Sequence, residues 1–151
     1  MTAQSGTAVP ADLHGYYIDD LEVGMTGAFG KTITEADITM FAGVSGDTNP
    51  VHLNEDFAAA SRFEGRIAHG MLTASLISAV IATKLPGPGA IYRSQSLKFM
   101  APVRIGDTVM AEVKVTEVVP EKKRAVLETT CRVGETVVVE GEAVLWVPAR
   151  D

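Results

Sequence analysis

Hydrophobic positions follow two different periods along the chain, and the change between them sets the expected elements. In the last third, Val109, Ala111, Val113 and Val115 alternate with Glu112, Lys114 and Thr116. Period two places the first set on one face of a strand and the second on the other. Residues 125–133 and 137–147 repeat the alternation, joined at Gly134-Glu135, and residues 92–99 predict one further strand. Long strands with short turns argue an antiparallel meander. Earlier in the chain, residues 25–33 have the content of a short strand, and Ile38, Phe41 and Ala42 recur at helical spacing. Thr34 offers an N-cap, Glu35 and Asp37 suit the first turn, and Ser45-Gly46 ends that helix at about Val44. Pro50 disfavours the α region for Asn49, so residues 46–52 read as an extended or turning loop. A short helix follows Asn54 and runs over residues 57–63. From Gly70 to Leu85 apolar residues lie all around a helical axis, which predicts a helix surrounded by protein, and Pro86-Gly87-Pro88-Gly89 stops it. One such helix with one antiparallel sheet is an α+β arrangement in which the sheet wraps the helix.

Composition narrows the setting. The chain has 151 residues, 46% hydrophobic and 21% charged, which suits one domain over residues 16–151 behind a disordered tail at 1–15. That tail lacks a basic start before an apolar core, so it is not expected to be a secretory signal. The apolar run before Leu85 is too short and too polar to span a bilayer, which excludes a membrane helix there. Net charge is -6, and Lys122, Lys123 and Arg124, in a hairpin turn after Pro120, form the only basic cluster. A nucleic-acid surface would need a basic stripe, so that partner is not expected. The lone cysteine, Cys131, cannot form an internal disulfide and lies in a strand pattern. It reads as packing in a reducing, cytoplasmic compartment.

The candidate chemistry sits in the loop. Asp47 and His52 are five residues apart on either side of Asn49-Pro50. Extended backbone would separate them at about 3.3 Å per residue, but a turn would let both address one water. Seventeen residues after His52 comes His69-Gly70, at the start of the apolar helix. Free amides there, reinforced by the helix dipole, make a donor site for an oxyanion. Three histidines with His14 in the tail, and a distant cysteine, do not make a zinc site, so no metal is expected.

The string Phe41-Ala42-Gly43-Val44-Ser45-Gly46-Asp47-Thr48-Asn49-Pro50-Val51-His52, then Phe57-Ala58 and Ile67-Ala68-His69-Gly70-Met71, resembles the MaoC-like, R-specific enoyl-CoA hydratases. The likeness runs from about Tyr16 to Trp146, with no departure at the motif positions. Residues 92–99, Pro102-Val103 and Gly106-Asp107 resemble the family's strand after the helix. The resemblance implies a hot-dog fold, paired as a homodimer, and syn addition of water to a trans-2-enoyl thioester of CoA or acyl-carrier protein. It implies Asp47 and His52 as the catalytic pair, and Gly70, Ser78, Asn49 and His69 as the oxyanion and substrate-binding set. No cofactor is implied beyond the thioester substrate.

Each of these residues also has a plain structural reading. Asp47 could close an Asx-turn, Asn49 hold the loop, and Gly70 permit a close backbone approach. His69 could pack beside the site or shape it, and Ser78 could bond back along its own helix. Arg62, Arg66 and Arg104 are candidates for CoA phosphates, or are merely solvated charges. Two other functions compete: a hot-dog acyl-CoA thioesterase, which leaves the Asp-to-His spacing unexplained, and a non-catalytic acyl-thioester-binding subunit of a heteromeric dehydratase.

Overall fold

The strictest alternation becomes the middle of the sheet. In the computed structural model, which describes residues 13–151, Val109, Ala111, Val113 and Val115 are completely buried on one face of a long strand, Thr108–Val119. Each fully buried valine contributes roughly 1.5–3 kcal/mol relative to an exposed one, so this face is a main source of stability. In chain order the strands are β1 (Thr26–Thr32), β2 (Ile91–Gln95), β3 (Lys98–Phe99), β4 (Thr108–Val119), β5 (Arg124–Val133) and β6 (Thr136–Trp146). They form one antiparallel sheet in the order β1-β4-β5-β6-β2, with β3 also on β6. The helices are α1 (Glu35–Ser45), α2 (Pro50–Leu53), α3 (Glu55–Ala59) and α4 (Gly70–Thr83). Leu72, Leu76, Ile77, Val80 and Ile81 of α4 share one core with the inward residues of β4, β5 and β6. This is the hot-dog arrangement, a sheet curled around one helix.

Four expectations change in the structure. The strand expected over residues 92–99 is broken after Gln95, because the chain there presses on β6. A Cβ on Gly141 would overlap the Ser96 carbonyl oxygen, and Ser96 bonds to Glu142 through both its amide and its hydroxyl. The loop at 46–52 is not extended to its end: Pro50 opens the helical turn α2, where a missing N–H costs nothing. The following helix is shorter than expected, Glu55–Ala59, capped by the Asn54 side chain. Helix α4 is covered on one side only, since Met71, Ser75, Ser78 and Ala82 form an exposed stripe at helical spacing.

Residues 1–12 of the expected tail lie outside the described residues. Those that follow are held: His14 stacks on Tyr17 at 4.0 Å, and the Gly15 amide donates to the Pro88 carbonyl at 2.8 Å. Cys131 packs in the core as read from its strand pattern, with its thiol pushed up to about 11 by burial. No helix among the described residues is long and apolar enough to cross a membrane.

Candidate active site

The loop between α1 and α3 is a succession of local caps. Thr34 and Asp37 form a reciprocal box at the start of α1, each side chain accepting from the other's amide. Gly46 ends α1 in the left-handed region at φ 79°, a conformation that favours glycine. Asp47 Oδ1 then accepts from the Asn49 amide at 3.2 Å, and Asn49 Oδ1 accepts from Val51 to cap α2. One turn into α2, His52 is swung inward and buried. The Asx-turn uses one carboxylate oxygen and leaves the other, so it does not by itself decide against a chemical role for Asp47.

That other oxygen faces the histidine. Asp47 Oδ2 lies 4.0 Å from His52 Nε2, with the carboxylate half exposed and the imidazole nearly covered. On the far side of the ring, Nδ1 lies 2.8 Å from the Ile67 carbonyl. A carbonyl only accepts, so Nδ1 carries the hydrogen and Nε2 turns a lone pair toward Asp47. Arg66 holds the same turn from behind: its Nε donates to the His52 carbonyl at 2.7 Å while its two terminal nitrogens grip Glu35 at 2.8 and 2.9 Å. The guanidinium keeps the Glu35 carboxyl below its usual range. Glu35 is exposed, so the pair serves geometry more than stability.

Asp47 and Gly70 share the wall of one cleft of about 410 Å³, closed by Met71, Phe99, Met100 and Val139 and bordered by Arg62. His69 gives α4 no side-chain cap, and its carbonyl accepts from Leu72 and Thr73, so the amides of Gly70 and Met71 are left without an acceptor among the described residues. Asp47 and the donating helix start thus share one mostly apolar wall, while His52 faces Asp47 across the 4.0 Å gap and is not itself among the lining residues.

Residues 22–139 match the family model described as MaoC like domain. The chain is 60% identical to the (R)-specific enoyl-CoA hydratase of Rhodospirillum rubrum, across 92% of this chain and 96% of that one. It is 54% identical to the 3-hydroxybutyryl-CoA dehydratase of Methylorubrum extorquens, across 93% and 89%. The chain belongs to the MaoC-like family. Among solved structures, the unliganded R-hydratase PhaJ1 of Pseudomonas aeruginosa superposes with a TM-score of 0.85 at 45% identity, covering 90% of this chain and 88% of that one.

Within this MaoC-like chain the other expected residues divide by position. Asn49 caps α2 and so holds the loop. His69 is buried, its ring stacked on His52 with centroids 3.9 Å apart. Ser78 lies on the open stripe of α4 and does not line the cleft. Of the three arginines, Arg62 borders the cleft above Phe63, Arg66 is taken by Glu35, and Arg104 donates to the Phe63 carbonyl. The Ile67 carbonyl and the anchoring role of Arg66 carry no local signal in the sequence, since both depend on the chain returning past α2.

Asp47, His52 and His69 each offer one ligand atom within 4.8 Å of the others. Tetrahedral zinc needs its ligand atoms roughly 3.3 Å apart, and Asp47 Oδ2 and His52 Nε2 are 4.0 Å apart. The arrangement suits acid–base work better than tight coordination.

Gly70 gives a direct test of the wall. A Cβ there would meet the Phe99 ring at 2.7 Å, and Phe99 is half exposed, so the ring can yield into the cleft. Gly70→Ala should fold normally, because alanine suits a helix better than glycine. Turnover should fall roughly 100-fold as the displaced ring crowds the donor amide. Steady-state rates beside a thermal melt check both halves.

Proposed function

We propose that this chain adds water to trans-2-enoyl-CoA thioesters to give (R)-3-hydroxyacyl-CoA, or runs the reverse dehydration, with Asp47 and His52 as its acid–base pair. The observation that carries this is the 4.0 Å gap between Asp47 Oδ2 and His52 Nε2. Two lone-pair acceptors at that distance do not bond to each other. A water about 2.8 Å from both would subtend roughly a right angle, close to the angle between its own O–H bonds. It donates one hydrogen to each acceptor and turns a lone pair outward, toward C3 of a thioester lying in the cleft.

As the new C3–O bond forms, one water proton passes to the pair and the C2=C3 electrons move into the thioester enolate. The enolate then takes that proton at C2 from the same face, and the pair returns to its starting state. Each positioned proton-transfer group is worth typically 10²–10⁴-fold. The Gly70 amide donates to the thioester oxygen where charge builds, a contribution of roughly 3–4 kcal/mol for such a donor. The scheme calls on no metal or organic cofactor.

With crotonyl-CoA, the protein should remove enoyl absorbance without releasing free thiol. Thiol release with the enoyl band intact would make it a thioesterase instead. Binding without turnover would leave it an acyl-binding subunit.

The same reading includes a homodimer. Support comes from the sheet edge at β2, where Ile91 and Tyr92 are exposed, and from the uncovered stripe on α4. Unpaired strand edges and open apolar surface favour association. Sedimentation at working concentration should give twice the chain mass, and a strictly monomeric species would contradict the pairing. A cytoplasmic setting fits the single buried thiol.

A further inference from the structure

We infer that His69 is a positioning residue: it sets the spacing of the Asp47–His52 pair without touching substrate. The inference rests on the hydration reading for its kinetic consequences, though its geometry stands apart. His69 is 1% exposed, against 8% for His52, and neither ring lines the cleft, but only His52 turns its free nitrogen toward the Asp47 carboxylate. The Nε2 of His69 lies 2.9 Å from the Asp47 main-chain carbonyl. That carbonyl can only accept, so Nε2 carries the hydrogen and Nδ1 is a bare lone pair.

Nδ1 is buried with no hydrogen-bond partner among the described residues. A buried unpaired acceptor is costly, and an apolar ring would fill the same space without that cost. Packing alone therefore does not account for a histidine here. What a phenyl ring could not supply is the Nε2–H donor to Asp47.

The loop needs such a tie. Residues 43–50 are all exposed. The other hydrogen bonds made by residues 46–49 join positions no more than four apart in sequence. The bond to His69 crosses 22 positions and is the one that reaches the core. The His69 carbonyl in turn accepts from Leu72 and Thr73 in the first turn of α4, and both residues are buried in the core. The ring also stacks on His52 at 3.9 Å and 29°. One residue thus links the carboxylate, the imidazole and the helix start that carries Gly70.

Two substitutions separate the donor from the ring. His69→Phe keeps the aromatic face and removes the N–H, whereas His69→Gln places an N–H close to the same point and removes the ring. For His69→Phe, kcat on crotonyl-CoA should fall roughly 10- to 100-fold, since a shift of about 1 Å in a reacting group costs up to about 100-fold. KM should stay within about twofold, because no substrate contact is lost. His69→Gln should recover kcat to within about fivefold of the parent. Native kcat in His69→Phe, a change confined to KM, or a folded His69→Gln as slow as His69→Phe would each overturn the inference. Imidazole ¹⁵N spectra of the parent read the geometry without activity: His69 should be the Nε2–H tautomer, and the Nδ1–H form would overturn it. If the parent fails to hydrate crotonyl-CoA, the hydration reading falls, and the tautomer still decides the role of His69.

Discussion

Asparagine in place of Asp47 is expected to slow hydration by on the order of 10²–10⁴-fold with the fold unchanged. The substitution is sharp because the two carboxylate oxygens have different tasks. Oδ1 accepts from the Asn49 amide and closes the turn, and an asparagine carbonyl oxygen does the same. Oδ2 faces His52 Nε2, and there asparagine puts an NH₂ group. That group donates where the carboxylate accepted, so the water keeps only His52 Nε2 as an acceptor and the pair loses its carboxylate. Thermal midpoints should agree closely, since the side chain is half exposed and its turn survives. A rate within tenfold of the parent would mean that Asp47 only shapes the loop.

The second large effect concerns His52, where the choice of replacement matters. His52→Asn keeps a donor near the position of Nδ1, within reach of the Ile67 carbonyl, and deletes Nε2. It should lose a similar 10²–10⁴-fold in rate at nearly native stability. His52→Ala should lose the rate and also about 1–3 kcal/mol of stability, because it strands the Ile67 carbonyl. It also removes the ring on which His69 stacks. Rates measured beside melting curves for both variants separate the chemical role from the packing role. If His52→Asn turned over near the native rate, Nε2 would have no part in the reaction.

Elements set by local rules were legible in the sequence. Thr34 announces α1, the alternation at Val109 to Val115 announces β4, and the proline–glycine run after Leu85 ends the central helix. Asp47, His52 and Gly70 could be named because motif spacing places them at one turn and one helix start. Features that depend on distant pairing were not legible. The break between β2 and β3 falls where Ser96 approaches Gly141, some 45 positions along the chain, so closely that no side chain would fit there. Pro50, read as part of an extended or turning loop, starts a helical turn instead, because proline is favoured at a first helical position. Arg66, read as a phosphate contact or a solvated charge, is neither: it is spent on Glu35 and the His52 carbonyl. The one-sided burial of α4 was hidden for a related reason. Hydrophobicity around a helix reports how much of it can be covered, and leaves open whether the cover comes from the same chain.

A shared water implies that Asp47 and His52 fail together. A double-mutant cycle on Asp47→Asn and His52→Asn tests this, since groups acting as one unit give strongly non-additive losses. Hydration of crotonyl-CoA by the double variant should be about as slow as by the slower single variant. Losses that multiply would mean two independent contributions, and the water held between Oδ2 and Nε2 would have to be abandoned.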